Sequence, residues 1–197
     1  MAEELVSIWS KRGEILAREP RIKPLEKSEC DSEQLSILKS LGSAGSMNAF
    51  RTLVRHPKLV QRFLPFLQYI LQESSLTTRD TELLILRTAW DCRAEYEWSH
   101  HSVSGKQAGL SDEEILRVSK GPTANGWTRH DKALLEAADE LHSDSCASDS
   151  VWRVLSEKYS EQQLVDIVFT VGMYTLASMS LKSFGVELDR GLKGFPE

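Results

Sequence analysis

Two carboxylates and a histidine stand at spacings that suit proton transfer: Glu82 on one apolar segment, and Glu97 with His101 on the next. Taking about 100° per residue along a helix from about Ala94 to Ala108, Ala94, Trp98, His101, Gly105 and Ala108 share one narrow stripe. That stripe is small and apolar apart from His101, so it is expected to face another helix. Glu97 lies at its edge, one turn before His101, within reach at i, i+4. His100 is expected to point well away. On the preceding helix the same count puts Glu82 beside Leu86, Ala89 and Trp90, on a face made for a core. A carboxylate there is costly unless paired or protonated, and burial raises its pKa. Arg79, one turn away, is the expected charge partner. A buried Glu beside a His forms an acid–base pair that titrates near neutrality. Periodicity alone leaves a plainer reading open: Glu97 and His101 as a helix-surface pair, with Glu82 capping or pairing with Arg79.

The elements that must hold these groups are all helical. Leu5, Ile8, Trp9, Ile15 and Leu16 mark a first helix, and Pro20 and Pro24 break it into a linker. A second helix is expected from about Ser32 to Leu41, stopping at the Gly42–Gly45 turn. Asn48 is expected to cap a short helical turn. Pro57 opens a helix to about Ser74, with Pro65 expected to kink it. Thr77 to Asp80 start an apolar helix through Trp90, and a break near 91–93 leads into the helix that Gly109 closes. Ser111-x-x-Glu114 is a capping box, and Gly121-Pro122 ends its helix. Thr128-x-x-Asp131 opens a helix to about His142. Another covers Trp152–Tyr159, and Ser160-x-x-Gln163 caps a long last helix ending near Gly185. The expected architecture is one all-α domain over 1–197: N-terminal helices in 1–46, a core in 47–120, and C-terminal helices in 128–186. The last group loosely echoes the core, as an internal helical duplication would.

Thr78-Arg79-Asp80-Thr81-Glu82-Leu83-Leu84-Ile85-Leu86-Arg87, Glu95-Tyr96-Glu97-Trp98-Ser99-His100-His101 and Ala108-Gly109-Leu110-Ser111 together resemble the carboxymuconolactone decarboxylase family. That family includes the alkyl hydroperoxide reductase D-like peroxidases. The resemblance covers about Arg51 to Ser119 and implies an all-α fold of that type, assembled as a homo-oligomer, a trimer or hexamer. The family's peroxidase branch uses a Glu, a Cys-x-x-Cys pair and a His one turn after the second Cys. Glu82 and His101 match its acid and histidine, but the two cysteine positions fall on Ala94 and Glu97, so no internal disulfide cycle is available. The decarboxylase branch carries Glu-Leu-x-x-His; Glu97 and His101 keep that spacing, with Trp98 in place of Leu. The match favours proton transfer over thiol chemistry.

The leading expectation is therefore an enzyme moving protons on a small organic acid, lactone or carbonyl compound, with Glu82, Glu97 and His101 as catalytic groups. Arg79 and Arg87 are candidates to hold a substrate carboxylate, each with a structural ion pair as the alternative, and Trp90, Tyr96 and Trp98 to line the pocket, each with core packing as the alternative. A peroxidase using the single thiol of Cys92 near a helix start is the runner-up; Cys30 and Cys146 sit in polar segments. A third reading is a non-catalytic helical binding or assembly module. Glu97-x-x-His100 has di-iron spacing, but only one such element is present, and no metal or other cofactor is expected. A net charge of −5, without a basic patch, a Walker loop or a Gly-x-Gly-x-x-Gly, argues against nucleic-acid and nucleotide sites. No stretch looks apolar enough to reach the roughly 18 residues of a bilayer span. The N-terminus lacks a signal-peptide pattern, so a cytoplasmic location is expected.

Overall fold

The start signals in the sequence become hydrogen-bonded caps. In a computed structural model describing residues 19–196, the Thr77, Ser111, Thr128 and Ser160 side chains each accept the backbone N–H three residues on. Each cap satisfies a donor that the first helical turn leaves without a partner. The described residues form nine α-helices and no strand: α1 (Ser32–Ser40), α2 (Asn48–Leu53), α3 (Pro57–Gln68), α4 (Thr78–Asp91), α5 (Glu95–Gln107), α6 (Asp112–Lys120), α7 (Arg129–Ser143), α8 (Asp149–Ser156) and α9 (Glu161–Phe184). The helix expected around Leu5–Leu16 lies outside the described residues.

Asn48 departs from its expected role. It is the first residue of α2, and Met47 occupies the cap without a side-chain bond. The free N–H of Asn48 is met instead by the distant Asp189 carboxylate at 2.9 Å, and its amide donates to the Glu187 carbonyl. Pro57 begins α3 as expected, Pro65 lies inside it, and the chain continues as a π-turn over Tyr69–Glu73.

α4 sits at the centre, packed on α5, α7, α9 and α6. Leu83, Leu84, Ile85 and Leu86 are all fully buried, as a helix surrounded on every side requires. The main core joins Leu84, Leu86 and Ala89 to Leu134, Leu135 and Ala138 of α7, Leu155 of α8 and Ile167 of α9. Gly105 lets α5 come close to α4: a Cβ there would lie 3.3 Å from Leu86 and 3.1 Å from Leu110. Arg93, in the left-handed region at φ 53°, turns the chain between the two helices.

By length and composition α9 passes for a bilayer span, with 24 residues and a mean hydropathy of 1.6, contrary to the sequence expectation. Half of that apolar stretch is buried inside the bundle, through Ile167, Val171, Met173, Tyr174 and Leu181. Being inside the core explains much of its apolarity. Val165, Phe169, Leu176 and Met179 form an exposed face.

Candidate active site

α4 and α5 bring Glu82, Glu97 and His101 together. They are 4%, 7% and 8% exposed. Glu82 Oε2 accepts a hydrogen bond from His101 Nδ1 at 2.8 Å, and His101 Nε2 lies 3.6 Å from Glu97 Oε2. With Nδ1 donating to Glu82, the ring is oriented and Nε2 is left to face Glu97. The Tyr174 ring of α9 meets the imidazole edge-on at 4.8 Å.

Burial alone would lower the His101 pKa, but the Glu82 charge, its hydrogen bond and Glu97 outweigh it, so it lies above 6.5. Burial raises the Glu97 carboxyl, against the pull of His101. Burial also raises the Tyr174 phenol, helped by Glu97 and Glu82, keeping it an O–H donor. The site thus holds an ionisable imidazole beside a carboxyl that resists ionisation.

Glu97, His101 and Tyr174 line a cavity of about 330 Å³, whereas Glu82 stands behind the imidazole and off the lining. The cavity's polar wall is α5, through Tyr96, Glu97, His100, His101 and Ser104. Its apolar walls come from α2, α3 and α9, including Leu53, Leu59, Phe63 and Leu176. His100, expected to point away, also lines it. The cavity spans a broad arc of α5, covering positions i, i+1, i+4, i+5 and i+8, rather than one stripe. His100 Nε2 is 2.8 Å from Asp189 Oδ2, which also accepts the Tyr96 hydroxyl at 2.5 Å. Tyr174 and Asp189 were not singled out by the sequence, and His100 was expected outside the site. Among the described residues, no group of three or more His, Cys, Asp or Glu side chains is arranged to hold a metal ion.

Residues 57–140 match the sequence profile of the Carboxymuconolactone decarboxylase family. That span holds Glu82, Glu97 and His101. Over that segment the chain is similar to the carboxymuconolactone decarboxylase family. Solved structures share the fold. An Agrobacterium tumefaciens protein of unknown function, described as a candidate antioxidant defence protein AhpD, is 20% identical with a TM-score of 0.64, covering 68% of this chain and 93% of its own. The debrominase Bmp8, a cysteine-to-alanine variant bound to tribromopyrrole, is 16% identical with a TM-score of 0.70, covering 86% and 91%. A Ralstonia eutropha peroxidase-related protein with an alkylhydroperoxidase AhpD core is 15% identical with a TM-score of 0.73, covering 88% and 95%. Comparison with curated proteins gives no match.

Within this helical framework, most of the expected substrate contacts lie away from the cavity. Arg79 does not serve Glu82. It pairs with Asp131 at 2.8 Å and Glu114 at 2.5 Å, first-turn carboxylates of α7 and α6. Arg87 pairs with Asp139 and Asp91 and donates to the Val118 carbonyl. Trp90 and Trp98 stack at 5.3 Å, and Phe195 of the tail packs on both. Of the five, only Tyr96 lines the cavity. Cys92 caps the C-terminus of α4, off the cavity, with Sγ 3.5 Å from His142 Nδ1. Burial pushes its thiol up, the opposite of an activated thiolate.

Proposed function

We propose that this protein is an acid–base enzyme in which His101 Nε2 removes a proton from a carbon beside a carbonyl or lactone group. The observation that carries this reading is the buried Glu82–His101 hydrogen bond with Glu97 across the ring, at the wall of a largely apolar, partly open cavity. Glu82 holds the ring and balances the imidazolium that forms. The Glu97 carboxyl, whose pKa burial raises, returns a proton to the substrate oxygen or carbon when it is in its protonated form. The Tyr174 hydroxyl supplies a further donor for the developing oxyanion. Keto–enol isomerisation and double-bond migration beside a carbonyl or lactone group use such a step.

Solvent deuterium entering a panel of small ketones and lactones, followed by NMR, tests the reaction class. No exchange and no turnover across the panel would sink it. Exchange is expected to rise with pH through a midpoint above 6.5, because His101 is a base only when deprotonated and its pKa is raised. Glu82→Gln removes the strongest raising influence, so the midpoint should move to lower pH. An unmoved midpoint would detach the rate from His101.

The superfamily's homo-oligomer is likewise proposed here, between copies of this chain through the exposed face of α9. Val165, Phe169, Leu176 and Met179 form one stripe of the kind that marks association sites. Sedimentation should give more than one subunit, and Phe169→Glu with Met179→Glu should shift the mass towards the monomer. A monomeric parent would remove the proposal.

A further inference from the structure

We infer that the cavity takes an uncharged, largely apolar carbonyl compound and discriminates against carboxylate-bearing substrates. This rests on the proposed function and narrows its substrate class. Among the described residues that line the cavity, none is Lys or Arg, while Glu97 is part of the wall and Asp189 stands directly behind His100 and Tyr96. The two arginines nearest in sequence to Glu82 are committed elsewhere. Arg79 is held by Asp131 and Glu114, and Arg87 by Asp91, Asp139 and the Val118 carbonyl. Whatever positive charge His101 carries is matched by Glu82 at 2.8 Å.

Among the described lining residues a ligand carboxylate would therefore meet apolar side chains, no Lys or Arg, and a carboxyl group opposite. An anion out of water without a partner is strongly disfavoured. A ketone or lactone meets no such penalty: its body lies on the Leu and Phe side chains, and its single oxygen faces the donors on α5 and Tyr174. Size agrees. A dry apolar cavity of about 150 Å³ holds a benzene, so one of about 330 Å³ accommodates a substituted ring.

The test uses two probes of matched shape, benzylacetone and hydrocinnamate, which differ by a methyl group in place of a carboxylate oxygen. Isothermal titration is done with the full chain at about pH 8, where the acid is ionised. The ketone is expected to bind about tenfold or more tightly than the anion. Ser104→Arg, with Leu59→Arg as a second variant at an exposed lining position, adds a guanidinium to the wall and should narrow or reverse that preference. Equal or tighter binding of hydrocinnamate by the parent protein would overturn the inference but leave the acid–base reading standing. An unchanged preference in both folded variants would overturn the charge argument. Failure of the parent protein to bind either probe would remove the cavity as a ligand site, and the proposed function with it.

Discussion

His101→Gln should lower deuterium exchange or turnover by about a hundredfold or more, the usual share of a positioned general base. The glutamine amide can still donate to Glu82, so the buried carboxylate keeps a partner and the fold survives, which circular dichroism would check. His100→Gln is expected to cost much less, although His100 lines the same cavity, because its Nε2 is engaged by Asp189 and no second carboxyl faces its ring. Equal losses from the two variants would move the chemistry to the His100–Asp189 couple. The contrast matters because the two histidines are adjacent in sequence, and each has a carboxylate of its own.

The second large effect is on stability. Arg79→Gln should destabilise the protein by about 2 kcal/mol or more, as loss of one member of a partly buried ion cluster does. Asp131 is left almost buried without its guanidinium, and Asp80, 4.0 Å from the same Arg79 nitrogen, keeps Lys158 and Tyr159 as partners. The sign with pH follows from Asp131, whose carboxyl is held below 3.8, burial being outweighed by Arg79 and Thr128. A carboxyl with a depressed folded pKa stabilises above its unfolded value and loses that contribution as pH falls through the folded one. The gap between parent and variant in denaturant unfolding should therefore be full near neutrality and shrink in acid. Unchanged stability with lost ligand binding would return Arg79 to the substrate role first expected of it.

These two residues show how far helix periodicity reaches. Glu82 and His101 were legible because each faces inward on its own helix, and two inward faces on successive helices have few places to go. Arg79 was misplaced because a long side chain at a first turn swings towards whatever carboxylates lie near, and Asp131 and Glu114 stand 52 and 35 positions away. Their own capping motifs were visible, but not their proximity to each other. Tyr174 sits on a helix that is apolar nearly all round, where no period marks one residue for a site. Asp189 lies beyond the last helix, in a tail whose pattern has no repeat. Fold class needed only local signals; the far half of the cavity depended on long-range contacts that no spacing rule encodes.

The Asp189 clasp reaches Asn48, Tyr96 and His100 across 141, 93 and 89 positions. Contacts of such separation form after local helices, because loop closure must come first. The polar wall of the cavity is thus fastened late in folding, on a bundle whose caps are already made. If the cavity takes the ligand proposed above and that ligand leans on His100 or Tyr96, ligand occupancy and tail docking would be thermodynamically linked, each strengthening the other by the same factor. A seated ligand would then hold the tail down, and a tail that peeled away would loosen the grip on the ligand.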